Sequence, residues 1–330
     1  MATRKTQGGL DTQLQDLHTK LDTARAEIGN RIFGQQEVID QTLITLLAGG
    51  HALLVGVPGL AKTLLVTTLA EVMGLTNSRI QCTPDLMPSD ILGTEVLEED
   101  DKGRKHFRFI NGPVFSQLLM ADEINRASPR TQSALLQAMQ ERTVSVAGHT
   151  HDLPKPFHVL ATQNPLEHEG TYPLPEAQLD RFMMDIAVTY PTEADEKAMI
   201  IATTSGQTAD VNAIFDAESL IAAQKLMTQI PVGEKVLEGI VTLVRNARPD
   251  SSTDKKVRES LAWGPGPRAG QTLLACARVS AALDGRPTPS LDDVVALAPA
   301  ILRHRMQLTF TAKAAGTTIE DIIQHLSAKL

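Results

Sequence analysis

His51-Ala52-Leu53-Leu54-Val55-Gly56-Val57-Pro58-Gly59-Leu60-Ala61-Lys62-Thr63-Leu64 decides the fold. A short apolar run, His51–Gly56, reads as a buried strand, and the Lys62-Thr63-Leu64-Leu65 segment opens a helix. Between them lies a Gly-rich turn ending in Lys-Thr, the pattern of a phosphate-binding P-loop. Its backbone N–H groups from Gly56, Val57, Pro58, Gly59, Leu60 and Ala61 onward face the phosphates, although Pro58 supplies none. Lys62 reaches the β/γ-phosphates, and the Thr63 hydroxyl is placed on Mg²⁺. Ala61 stands where the usual pattern has Gly, so the backbone there is expected to be helical already and to tolerate a Cβ.

Working outward, short apolar runs alternate with helical segments as far as Pro191, the signature of a parallel sheet flanked by helices. Five strands are expected: His51–Gly56, Arg79–Thr83, Leu118–Glu123, Phe157–Thr162 and Met184–Val188. Alternating residues around turns make hairpin insertions of 95–112 and 143–154. Leu14, Leu17, Leu21 and Ile28 give residues 1–28 an amphipathic leading helix. Beyond Pro191 helical periodicity dominates in Glu193–Thr204, Ala217–Thr228, Glu234–Arg248, Arg268–Leu283 and Leu291–Met306. The chain therefore divides into an α/β unit, 29–191, and an all-α unit, 192–330.

The third strand ends in Asp122-Glu123, and two adjacent acids closing an apolar run are costly unless they are used. With a P-loop upstream, Asp122 is the candidate ligand of Mg²⁺ or its water, and Glu123 the group that polarises an attacking water. The fourth strand ends in Gln163-Asn164-Pro165, which puts an amide at the carboxyl edge where α/β sheets bind ligands. Asn164 is placed to hold the lytic water; as a lone Asn-Pro it is only a turn signal. Arg181 closes a short helix in Leu174–Phe182. Arg126 and Arg130 follow the acids, either as exposed cations or as groups that couple Glu123 to a partner.

Composition narrows the function classes. The 330 residues are 42% hydrophobic and 21% charged, with a net charge of -8. That charge argues against whole-molecule attraction to nucleic acid or anionic lipid. Cys82 and Cys276 lack metal or redox spacing and read as buried thiols. No signal peptide or spanning segment is recognisable, so the cytoplasm is the expected address and membrane insertion is not expected.

The series GVPGLAKT, MADEINRASPRTQSALLQAMQE, VLATQNP, LPEAQLDRF and GPGPRA, in this order and spacing over roughly residues 30–310, resembles the MoxR branch of AAA+ ATPases. The resemblance implies an AAA+ core with a helical lid, Lys62 and Thr63 as Walker A residues, and Asp122 and Glu123 as Walker B. It also implies Asn164 as sensor 1 and Arg181 as the arginine finger reaching a neighbour's ATP. Arg268 resembles sensor 2 at the start of a lid helix, although Gly266 before Pro267 caps that helix weakly. Ile32-Phe33-Gly34-Gln35 resembles the segment that walls the adenine.

The same resemblance implies a homo-oligomeric ring, hexameric by expectation, with a lid that swings against the core. A partner carrying a von Willebrand factor A domain and a client protein complex, matured by a chaperone-like action, are implied in the same way. Arg181 is expected at the far edge of the sheet from its own P-loop. The first hairpin sets Lys102, Arg104, Lys105, His106 and Arg108 against Glu98, Glu99, Asp100 and Asp101, as a solvated edge or as a basic tip that touches substrate. Similar insertions occur in magnesium-chelatase subunits and replicative helicases. A nucleic-acid motor and a nucleotide-gated module that barely hydrolyses ATP are the alternatives.

Overall fold

A computed structural model describes residues 2–99, 101, 103–167, 169–204 and 210–330, with side chains from residue 9 on. Helices α1 (Ala2–Gly29) and α2 (Gln36–Leu47) lead into β1 (Ala52–Val55), α3 (Lys62–Val72), β2 (Asn77–Gln81) and α4 (Pro88–Leu92). A hairpin of β3 (Gly93–Glu99) and β4 (Lys105–Asn111) precedes β5 (Leu118–Asp122) and α5 (Pro129–Glu141). A second hairpin, β6 (Thr143–Val146) and β7 (His149–Asp152), precedes β8 (His158–Gln163), α6 (Glu176–Leu179) and β9 (Met184–Ala187).

Five strands form one parallel sheet in the order β2-β5-β8-β1-β9. Alternation sends Ala52 and Leu54 into the core on one face and Leu53 into that on the other. Leu118 and Met120 likewise oppose Leu119 and Ala121. The register pairs Val55 with Gln163 and Asp122 with Gln81, so the P-loop, the acids and the amide all leave the same carboxyl edge. Contrary to expectation, Arg181 does not lie across the sheet from its own P-loop. It precedes β9, which pairs directly with β1. The separation from the P-loop therefore runs along the strands, at roughly 3.3 Å per residue, and not across the sheet.

The second unit holds α7 (Glu193–Thr204), α8 (Ala217–Gln229), α9 (Glu234–Asn246), α10 (Lys255–Ser260), α11 (Pro267–Leu283) and α12 (Leu291–Leu302). Outside the expectation lie α10, a ribbon of β10 (Leu261–Trp263) with β11 (Gln307–Leu308), and the closing helices α13 (Phe310–Ala314) and α14 (Ile319–Ser327). A two-residue strand carries no readable alternation, and its partner lies some forty residues upstream. In α1, Leu14, Leu17, Leu21, Ala24 and Ile28 are buried at heptad-like spacing, packed on α3 and α11. Each fully buried leucine stabilises by roughly 1.5–3 kcal/mol. One apolar cluster runs from α1 and α3 through α11, α12 and α14, so the lid and one face of the sheet share a core. Both cysteines are buried and unpaired.

Candidate active site

Two glycines of the P-loop are required for different reasons. At Gly56 a Cβ would meet the Val188 carbonyl oxygen at 2.5 Å, while Gly59 sits at φ +85°, in the left-handed region. Ala61 departs from the expectation: its φ of 55° and ψ of 22° are left-handed, not helical. An alanine in that conformation costs about 1–2 kcal/mol, and the fold carries that strain beside the site. The first turn of α3 follows at once with no side-chain cap, so its orphan N–H groups face the loop. Lys62 Nζ donates to the Gly56 carbonyl. Burial pushes its pKa down, and the Asp122 and Glu123 carboxylates pull it back up.

At the end of β5, Thr162 Oγ1 donates to Asp122 Oδ1 at 2.5 Å and accepts from the Glu123 N–H at 2.8 Å. Arg79 donates to Asp122 Oδ2 from Nη2 at 2.5 Å and from Nε at 3.2 Å. Glu123 is itself left-handed, with φ 55° and ψ 52°. Its Oε2 accepts from Gln81 at 2.7 Å and from Arg126 at 3.1 Å. Asn164 is buried, and its Oδ1 accepts from the Leu166 N–H at 3.1 Å. A cavity of about 480 Å³ is lined by residues 58–64 together with Asp122, Glu123, Thr162 and Asn164.

Residues 51–184 match the model of the ATPase family associated with various cellular activities (AAA), and 254–326 match an AAA lid domain. Chaperone MoxR1 of Mycobacterium tuberculosis is 42% identical over 97% of this chain and 84% of its own. The chain belongs to the MoxR family of AAA+ ATPases. Protein MoxR of Paracoccus denitrificans is 30% identical over 91% of this chain and 92% of its own. A solved structure from Cytophaga hutchinsonii superposes with a TM-score of 0.90 at 37% identity, covering 100% of this chain and 99% of that one.

Within this MoxR-family chain the fold brings the P-loop, Asp122, Glu123 and Asn164 to one cavity. Phe33 and Gly34 are not among the residues that line it; Gln35 next to them donates to the Leu60 carbonyl at 3.2 Å, and a Cβ on Gly34 would meet Asp195 of α7 at 2.5 Å. Arg181 and Arg268 do not reach it. They line a second cavity of about 390 Å³ with Arg142, Asp180 and Arg305. Arg268 pairs with Asp180 at 3.4 Å, and α11 starts at Gly266 without a side-chain cap. Of the two arginines after the acids, Arg126 touches Glu123 and Arg130 is exposed.

Sequence reasoning passed over Thr162, Arg79 and Gln81. A threonine closing an apolar strand was the available signal for the first. The other two become visible only through the register of β2 against β5, which sets Gln81 opposite Asp122. Among the described residues, no group of three or more His, Cys, Asp or Glu could hold a metal. A single carboxylate with a hydroxyl across the same cavity suits Mg²⁺, which keeps waters and takes its other ligands from phosphate. Thr63 and Asp122 are those groups. Among the described residues no helix is long and apolar enough to cross a membrane.

Proposed function

We propose that this chain hydrolyses Mg²⁺-bound ATP at sites shared between neighbouring subunits of a ring. The observation that carries this reading is the division of charge. Lys62 is the one cation lining the P-loop cavity among the described residues, whereas Arg181 and Arg268 line the other. Charge that develops on the γ-phosphate needs more than one cation to offset it, and a neighbouring subunit's arginines are the source. Lys62 holds the β/γ-phosphates, Thr63 and Asp122 hold the metal, which neutralises phosphate charge, and Asn164 orients the water. Gln81 and Arg126 occupy one oxygen of Glu123, leaving the other to take the water's proton. In the reading's finer form the ring is a cytoplasmic hexamer. With a von Willebrand factor A partner it remodels a client complex, as the family resemblance implies. A nucleic-acid motor gains no support from the first hairpin, where Arg108 is tied to Glu98 at 3.1 Å. Lys102 and Asp100 lie outside the described residues.

The test is complementation. Glu123→Gln binds ATP but turns it over slower by orders of magnitude, and Arg181→Ala does the same for lack of the neighbour's charge. In a random equimolar mixture, one half times one half, or about a quarter, of the head-to-tail interfaces join an intact Glu123 to an intact Arg181. Activity returns towards that fraction. A mixture that stays inactive while both variants co-assemble overturns the shared site.

A further inference from the structure

Arg305 follows α12 and is 1% exposed, a charge buried in the seam between the lid and the sheet. Such a charge is tolerated only when paired and fully hydrogen-bonded. All five of its N–H donors have a receiver, as guanidinium geometry requires. Nε donates to Asp180 Oδ1 at 2.7 Å. Nη1 donates to the carbonyls of Ile301 at 2.5 Å and Met183 at 3.2 Å. Nη2 donates to those of Phe182 at 2.8 Å and Asp180 at 3.3 Å. The two residues before it act in the same direction. His304 Nε2 lies 3.1 Å from the Phe182 carbonyl, and Arg303 donates to the Asp185 carbonyl at 3.3 Å.

Four of the six carbonyls from Asp180 to Asp185 are thus held by Arg303-His304-Arg305, and this is the segment that carries Arg181. Among the described residues the Arg181 side chain itself has no hydrogen bond or ion pair. Its backbone is gripped while its guanidinium is left to project into the second cavity. Arg268, in the first turn of α11, meets the same Asp180.

We propose that Arg305 is a positioning residue for Arg181: it welds the lid to the segment bearing that arginine, so that lid and finger move as one body. The proposal rests on the shared-site reading above. It replaces the expected swing of the lid against its own core with a motion of lid and finger together relative to the neighbouring subunit's P-loop.

Arg305→Lys is the variant to make, because it keeps a charge beside Asp180 but supplies three donors in place of five. Asp180→Asn, at a side chain 28% exposed, is the second and discharges the same junction from its accessible end. Each variant retains binding of a fluorescent ATP analogue, while turnover falls roughly ten- to hundredfold through misplacement of Arg181. Mixing assigns the side of the interface. With Glu123→Gln, either variant recovers activity; with Arg181→Ala, neither does, since both partners lack a competent finger. The reverse pattern, or full activity of Arg305→Lys and Asp180→Asn alone, overturns the proposal. So does failure with both partners when the Glu123→Gln and Arg181→Ala mixture recovers, which marks general damage. If that control mixture itself fails, the shared site is wrong and Arg305 has no finger to position.

Discussion

Lowering the pH from 7 to 5 destabilises this protein through two histidines beneath the P-loop strand. His51 precedes β1 and His158 opens β8; their rings lie 6.5 Å apart and both are buried. His51 Nδ1 accepts from the Val159 N–H at 2.9 Å, with Nε2 3.3 Å from the Met139 carbonyl. His158 Nδ1 lies 2.8 Å from the Gly50 carbonyl, and its Nε2 3.2 Å from Gln224 Nε2. Both rings are therefore satisfied while neutral. Burial, then the neighbouring His158 charge, pushes the His51 pKa down to about 3, and burial pushes His158 down to about 4. Above 6.5 neither state is charged and nothing is at stake. Below it the unfolded chain takes up protons that the folded chain refuses, so stability falls with pH. Between pH 7 and pH 5 each histidine costs about 2 kcal/mol.

Asp185 opposes them, since burial raises its carboxyl to about 6. The folded state gains that proton first, which returns about 1 kcal/mol over the same interval. The net loss is about 3 kcal/mol. His304, pushed well below its usual value by burial, adds to it. In urea unfolding without nucleotide, an m-value of about 3 kcal/mol/M moves the midpoint down by about 1 M. His51→Asn, which keeps an acceptor and a donor, lowers the slope by close to one proton, about 1.4 kcal/mol per pH unit at pH 5. An unchanged midpoint between pH 7 and 5, or an unchanged slope in His51→Asn, refutes the reasoning.

Ala61→Gly removes about 1–2 kcal/mol of left-handed strain and gives back about 0.4–1 kcal/mol of unfolded-chain entropy, so thermal stability rises slightly; a lower Tm contradicts the assigned conformation. Lys62→Ala abolishes ATP binding, read by a fluorescent analogue, and wild-type affinity overturns the site. Thr162→Val deprives Asp122 of a donor and the Glu123 N–H of its acceptor, costing about 1–3 kcal/mol in chemical unfolding. Turnover falls more than analogue binding, and equal activity makes Thr162 a bystander. Neither single- nor double-stranded DNA stimulates ATPase activity at physiological salt. A several-fold stimulation lost on neutralising Arg104 and Lys105 moves the nucleic-acid reading to first place.

What could be read without coordinates was local. The run HALLV, the turn GVPGLAK, the acids after LLMA and the amide after HVLAT each announce themselves within a few residues, because strand alternation and turn chemistry are short-range. Both hairpins and most of the lid helices follow from the same periodicities. The left-handed turn at Ala61, directly before the helix that begins at Lys62, escaped that reasoning. Thr162, Arg79 and Gln81 join the acids only through strand register. The β10–β11 ribbon joins Leu261 to Leu308, and the Arg305 junction spans 125 positions of sequence. Sequence patterns report how a segment buries its own side chains, and tertiary structure alone decides which distant polar groups must be satisfied together once water is excluded between them.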